Sequence, residues 1–199
     1  MSENILIQKE EEYDNGKYQG EFKENKRHGR GVYSWNSKNK YEGEFKDDQI
    51  EGRGIYIWEN GEKYEGDFKN GLKEGKGIYT YPNGSKYDGN FRNNKREGKG
   101  VFYFKSGNRY EGDFINDKRE GNGIMYYTNG DREMGNYLND QKIGVHVILH
   151  SNGKSEIVNY DEKKEEKENN EIIENIENDN NINNNEDINN EENNKDENN

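Results

Sequence analysis

The sequence predicts an all-β fold: an elongated array of stacked antiparallel β-hairpins, followed by a disordered acidic C-terminal tail. Three observations lead there. A Tyr-x-Gly-x-Phe segment opens at Tyr18, Tyr41, Tyr64, Tyr87 and Tyr110, each 23 residues after the last. Glycines and aromatic residues fall into fixed columns with the same period. Within each copy apolar and polar residues alternate two by two, as on a strand with one covered face. Self-similarity at a fixed period marks a repeat architecture.

The elements follow in chain order. Residues 1–17 form an N-terminal segment in which Tyr13 to Lys17 reads as the tail end of a preceding repeat. The array runs over 18–155, as copies 18–40, 41–63, 64–86, 87–109 and 110–132 and a degenerate copy 133–155. The third copy shows the pattern. Tyr64, Gly66 and Phe68 share one face of a first strand, with Glu65, Asp67 and Lys69 on the other. Asn70-Gly71 is a turn pair. A second strand from Gly75 to Tyr81 places Gly75, Gly77, Tyr79 and Tyr81 opposite Ile78 and Thr80. Pro82-Asn83-Gly84 then turns the chain into the next copy, so one repeat is one hairpin. The sixth copy departs from the pattern, with Glu133 in the opening Tyr place, Tyr137 in the Phe place and His146 in a strand Gly place.

Four columns hold 22 of the 24 glycines. The column Gly61, Gly84, Gly107, Gly130 and Gly153 belongs to turns. The strand columns, which include Gly20, Gly29 and Gly31 and their copies, predict clearance for an aromatic ring from the neighbouring hairpin. The predicted aromatic core contains Tyr18, Phe22, Tyr41, Phe45, Tyr64, Phe68, Tyr87, Phe91, Tyr110 and Phe114. Beside it run the column Trp35, Trp58, Tyr81, Phe104 and Tyr127 and the aliphatic column Val32, Ile55, Ile78, Val101, Ile124 and Val147. A lone hairpin is marginal, and stacking buries what it cannot bury alone. Twelve strands at about 4.8 Å each span on the order of 55 Å.

The formal charge of −12 is divided unequally. Residues 1–17 carry 2 basic and 5 acidic groups (−3), residues 18–155 carry 24 and 21 (+3), and residues 156–199 carry 4 and 16 (−12). The acidic balance therefore belongs to the Asn- and Glu-rich stretch 156–199, which is disordered by composition. Within it, Ile172, Ile173 and Ile176 are candidates for a short helix. The array itself is slightly basic and compatible with an anionic partner. No run of about 18 apolar residues offers a transmembrane helix, and Met-Ser-Glu-Asn does not begin a signal peptide. With no cysteine there is no disulfide or thiolate nucleophile. The expectation is a cytoplasmic protein that is not secreted.

The sequence offers few groups arranged for chemistry. His146 and His150, four apart on a strand, are about 13 Å apart, too far for one metal ion. His28 lies in the turn-like Lys-Arg-His-Gly-Arg. The Gly-x-Gly pairs lack the helix that a phosphate loop requires. The carboxylates recur as a column rather than as a unique pair, and repetition argues against an active site. No catalytic residue, metal, cofactor, small-molecule substrate or nucleic acid is expected. Candidate contacts for an anion are the basic turns: Lys26, Arg27 and Arg30, then Lys73 and Lys76, then Lys95, Arg96 and Lys99. Stacking predicts that they line one edge. The competing reading is a solvated edge neutralised by Glu51, Glu74, Glu97 and Glu120.

The pattern YxGxFKNxxxxGxGxYxYxxGxx at 23-residue spacing resembles the MORN (membrane occupation and recognition nexus) repeat over about 18–155, with five good copies and one degenerate. The resemblance implies a ribbon of stacked hairpins that serves as a non-catalytic scaffold or adaptor. Implied partners are proteins or a second copy, at a cytoskeletal, ciliary or membrane-associated structure. Phosphoinositide binding through the basic turns is one alternative, and service as an accessory subunit of an enzyme is another. Where relatives carry catalysis it resides in a separate domain, and none is expected in these residues.

Overall fold

The computed structural model describes residues 6–162 and 164. The chain divides into a unit over Met1–Val158 and a second over Asn159–Asn199. In the second, residues 160–162 and 164 are helical. The Ile172, Ile173 and Ile176 segment and most of the acidic stretch lie outside the described residues.

Alternation, turn residues and glycine columns produce fourteen strands among the described residues. These are β1 Ile7–Tyr13, β2 Gly16–Lys23, β3 Lys26–Trp35, β4 Lys40–Lys46, β5 Gln49–Ile57, β6 Lys63–Lys69 and β7 Leu72–Thr80. They continue as β8 Lys86–Arg92, β9 Lys95–Tyr103, β10 Arg109–Ile115, β11 Lys118–Tyr126, β12 Arg132–Leu138, β13 Gln141–Leu149 and β14 Ser155–Asn159. All belong to one sheet whose spatial order is the sequence order. Each repeat is one hairpin, as expected. Two strands exceed the expected twelve. Strand β1 pairs with β2 along its whole length, from Ile7 opposite Phe22 to Tyr13 opposite Gly16. Its Gln-Lys-Glu-Glu-Glu run has no apolar alternation, so the backbone ladder holds it where side-chain pattern gives no sign. Strand β14 carries the sheet past residue 155 and buries Val158.

The hairpins close through two-residue turns in which both central residues have positive φ: 50° and 76° at Asn70 and Gly71, 48° and 71° at Asn93 and Asn94. That geometry matches the twist of the flanking strands and suits Asn, Asp and Gly. Successive turns are also tied together. The Asp48, Gly71, Asn94, Asp117 and Asp140 amides each donate to a carbonyl of the preceding hairpin, at Arg27, Ile50, Lys73, Arg96 and Arg119, over 2.9–3.1 Å. The second strand therefore begins directly after the turn, at Leu72 and not at Gly75.

The column Gly29, Gly52, Gly75, Gly98, Gly121 and Gly144, expected to clear space for rings, is used otherwise. All six have φ of 62–68° and sit at register shifts, such as the one between Gly66 and Phe68 opposite. They form bulges, where a left-handed residue is needed.

Clearance belongs to the other strand glycines. Gly20, Gly31, Gly43, Gly54, Gly66, Gly77, Gly89, Gly100, Gly112, Gly123 and Gly135 pair across β2 to β12 in one unbroken row. A Cβ on Gly77 would stand 2.5 Å from the ring of Tyr64. The ring thus comes from the glycine's own hairpin, which corrects the expectation that a neighbouring hairpin supplies it. Tyr64 lies over Gly66 on its own strand and Gly77 on the next, and only hydrogen there leaves room.

Candidate interaction faces

The row of covered glycines divides the sheet into a ring face and a charged face. On the ring face Tyr18, Tyr41, Tyr64, Tyr87 and Tyr110 are 0% exposed, and Phe22, Phe45, Phe68, Phe91 and Phe114 are 1–6% exposed. Each tyrosine meets the Phe of its own repeat and the ring at that position in the next edge-on, as Tyr64 meets Phe68 and Phe91 at 5.0 Å and Tyr110 meets Tyr137 at the end of the series. Such pairs add about 0.5–1.5 kcal/mol beyond area burial. Each hydroxyl then donates to the carbonyl three residues on, at 2.9 Å from Tyr64 to Asp67. Burial raises the phenol of Tyr18 to about 12. A second, tilted ladder passes from Tyr33 to Trp35, Tyr56, Trp58, Tyr79, Tyr81, Phe102 and Phe104.

Between the two ladders stands a row of cations, and three of the candidate anion contacts belong to it. Arg27 lies 5.2 Å from the ring centre of Tyr33, Lys73 4.4 Å from that of Tyr79, and Arg96 5.2 Å from that of Phe114. Arg27 and Arg96 also form ion pairs with Asp48 and Asp117 in the next turn, at 3.1 and 3.2 Å. Arg119 repeats the arrangement with Asp140 at 3.0 Å. Desolvation lowers the pKa of Lys73. These side chains roof the aromatic core and do not line a basic edge. The glutamates expected to neutralise the cations are placed differently too. Glu51, Glu74, Glu97 and Glu120 accept from the Asn70, Asn93, Asn116 and Asn139 amides of the following turn, over 2.8–3.1 Å.

The other five candidates, Lys26, Arg30, Lys76, Lys95 and Lys99, alternate with the ring positions and lie on the charged face. Lys26 and Lys95 stand at the turns. There Lys23 is directly opposite Lys26, and Arg92 opposite Lys95. With Lys46, Lys69 and Lys118 they make a row of seven cations, none within ion-pair distance of a carboxylate among the described residues. Leu72, Ile115 and Leu138 are exposed in the same row. Like charges directly opposite destabilise a sheet, so the row departs from what stability alone favours.

Arg30, Lys76 and Lys99 stand further in, with Arg53, in a row that alternates with Glu21, Glu44, Asp67, Asn90 and Asp113. Arg30 pairs with Glu44 across strands, Arg53 with Asp67, Lys76 with Asn90 and Lys99 with Asp113. On the far side of the glycine row, Val32, Ile55, Ile78, Val101 and Ile124 alternate with Glu42, Glu65, Asp88 and Glu111. This aliphatic column is half-buried on the face opposite the aromatic core. Between the two rows runs a groove floored by glycine main chain. It amounts to about 640 Å³ in the first three repeats and about 750 Å³ across β7 to β12.

The sixth repeat inverts one detail. Glu133 takes the tyrosine position and His146 the second glycine position, and both are buried. The imidazole now covers Gly135, whose added Cβ would come within 2.5 Å of Nε2. Nε2 lies 2.9 Å from the Asn136 carbonyl, the acceptor that the missing Tyr hydroxyl would have used. Glu133 contacts His146 Nδ1 at 3.1 Å and Lys142 at 2.6 Å. Ring and space have exchanged strands. His150 has a separate partner, Asp131, at 3.1 Å, and His28, placed in β3 rather than in a turn, lies 3.4 Å from Asp47. Among the described residues no group of three or more His, Cys, Asp or Glu is arranged to hold a metal ion. No helix among them is long and apolar enough to cross a membrane.

Among solved structures, the chain is similar to the TCP domain of Drosophila melanogaster SAS-4, solved with a proline-rich motif of Ana2. The identity is 17%, covering 75% of this chain and 88% of that one, with a TM-score of 0.46. The TCP10c domain of Drosophila melanogaster Sas-4 matches at 15% identity over 77% and 96%, TM-score 0.47. The TCP10 domain of Danio rerio CPAP matches at 11% over 78% and 94%, TM-score 0.33. No curated protein matches. The family model described as the MORN repeat matches residues 18–40, 41–63, 64–86, 87–109 and 110–132. Five tandem matches take in more than half of the sequence, and the chain belongs to the MORN repeat family.

Proposed function

We propose that this protein is a non-catalytic scaffold whose charged face docks other proteins. One observation carries the reading: the ring face is closed by its own aromatic and cationic side chains, while the charged face keeps a half-buried aliphatic row and a long open groove with no layer over them among the described residues. Repeated side chains suit a surface that meets a partner at several equivalent points. Affinity capture of the tagged full chain from native lysate should recover stoichiometric partners or a second copy. Recovery of background proteins alone, at several salt concentrations, would sink the reading.

A second reading, peripheral attachment to anionic phospholipid, is favoured by the turn row. Seven cations without carboxylate partners among the described residues, with Leu72, Ile115 and Leu138 beside them, match what a headgroup layer and its apolar border accept. Vesicle flotation with phosphoinositide-containing liposomes tests it. Changing Lys46, Lys69, Arg92 and Lys95 to Ala should abolish flotation, whereas Arg96 is an unsuitable target because it roofs the core. Service as an accessory subunit of an enzyme is a special case of the scaffold reading.

A further inference from the structure

We propose that the groove across β7 to β12 binds an acidic partner peptide in the polyproline II conformation, with carboxylates at every third residue engaging Lys76 and Lys99. The assignment rests on the scaffold reading and adds to it the chemistry of the partner. It begins from a break in the charge ladder that leaves two cations side by side. Every cation in the row has a carboxylate beside it, but the position between Lys76 and Lys99 is Asn90, where repeats one, two, three and five carry Glu21, Glu44, Asp67 and Asp113. The Asn90 amide is itself engaged, donating from Nδ2 to the Lys99 carbonyl at 3.0 Å. Lys99 retains Asp113 at 2.7 Å, and Lys76 forms no ion pair among the described residues. Here two cations, Lys76 and Lys99, stand in the wall with no acid between them.

The spacing selects the ligand backbone. Equivalent side chains in successive repeats are two strands apart, about 9.6 Å at about 4.8 Å per strand. A polyproline II helix brings side chains back to one edge every third residue, about 9.3 Å at about 3.1 Å per residue. An extended strand repeats every two residues, about 6.7 Å, and falls out of step at once. A peptide lying along the glycine row in the polyproline II form therefore presents one edge to Lys76 and Lys99 in register. The opposite wall fixes its orientation. Val101 and Ile124 are apolar and half-buried there, and Asp88 and Glu111 repel a peptide turned the wrong way round.

Fluorescence anisotropy with the full chain at low ionic strength tests this, using a labelled peptide of four Glu-Pro-Pro units. Controls are four Lys-Pro-Pro units and a peptide of the same composition as the first with its glutamates clustered. The Glu-Pro-Pro peptide should bind, and both controls should bind at least tenfold more weakly. Asn90→Asp restores the acid found in sister repeats, so its thermal midpoint should stay at the wild-type value while affinity falls at least tenfold. Lys76→Ala should weaken binding to a similar extent. Equal binding of the clustered peptide, or unchanged affinity in Asn90→Asp, would overturn the assignment. If Asn90→Asp captures the same lysate partners as wild type, the groove is excluded as the docking site and the scaffold reading stands. If wild type captures none, the scaffold reading itself fails.

Discussion

Gly77→Ala puts the glycine row to a quantitative test. The new methyl carbon would stand 2.5 Å from Tyr64 Cε2, Cζ and Oη, where ordinary contact is 3.4–4 Å. Tyr64 has little freedom to withdraw. It is fully buried, lies between Phe68 and Phe91 at 5.0 Å and donates to the Asp67 carbonyl at 2.9 Å. Overpacking of this kind costs about 1–3 kcal/mol. Shifting the phenol out of hydrogen-bond range adds about 0.5–1.5 kcal/mol. The sum is about 1.5–4.5 kcal/mol, a large part of the stability of an ordinary domain. Gly61→Ala is the control, because its φ is 87° and nothing lies within 4 Å of its Cβ position. It should cost only the left-handed strain, about 1–2 kcal/mol. Urea denaturation followed by far-UV circular dichroism reads both, and the denaturant slope shows whether cooperativity along the array survives. If Gly77→Ala proves no more damaging than Gly61→Ala, the claim that the ring excludes a side chain from this row is wrong.

Three other outcomes follow from the same geometry. In the sixth repeat, Glu133→Tyr puts a second ring into the space His146 fills and His146→Gly empties that space. Each alone should cost about 2–4 kcal/mol, and the double variant, which restores the common pattern, should cost clearly less than their sum in thermal melts. Alkaline pH should unfold the protein steeply. Burial lifts Tyr18 and Tyr137 from 10.0 to about 12 and drives Tyr41, Tyr64, Tyr87 and Tyr110 higher still. The unfolded chain loses those protons first, so stability intact below pH 10 falls through pH 10–12 by about 1.4 kcal/mol per tyrosine per pH unit. Phenolate absorbance should rise together with loss of structure, and gradual ionisation near pH 10 in a still folded protein would contradict it. Finally, Arg96→Ala should cost about 1.5–3 kcal/mol, because the guanidinium covers three rings and bonds to Asp117. Its neighbour Lys95→Ala should stay within about 0.5 kcal/mol in the same melts.

The period, the hairpin unit and the tyrosine and phenylalanine columns are legible in the sequence because one physical demand, burial of a ring over a glycine pair, recurs at every copy. The cations are harder to place. A second strand read from Gly75 leaves Lys73 in a loop, whereas the two-residue turn at Asn70-Gly71 starts the strand at Leu72 and puts Lys73 in phase with Tyr79. Arg27 and Arg96 follow the same rule. The bulge glycines escape for a related reason: Gly75 and Gly77 look alike in sequence, and only the backbone angle, positive at Gly75, separates them. Strand β1 stays hidden because a ladder of backbone hydrogen bonds leaves no mark on side-chain composition. The break at Asn90 is in plain view, but it gains meaning only once register sets Lys76 opposite it.

The exchange of ring and space at Glu133 and His146 bears on how such a chain finds one structure among near-copies. A sequence that repeats itself every 23 residues can mispair by one whole repeat while keeping most contacts. If β10 slipped forward onto β13, Tyr110 would meet the imidazole of His146 where it now meets Gly123, and two rings would compete for room that holds one. If β12 took the place of β10 beside β11, Glu133 would face Gly123 with no ring to fill the gap, its carboxylate buried among aromatics. The irregular repeat thus acts as an index mark on a self-similar ruler, penalising every off-by-one alignment at its end of the sheet.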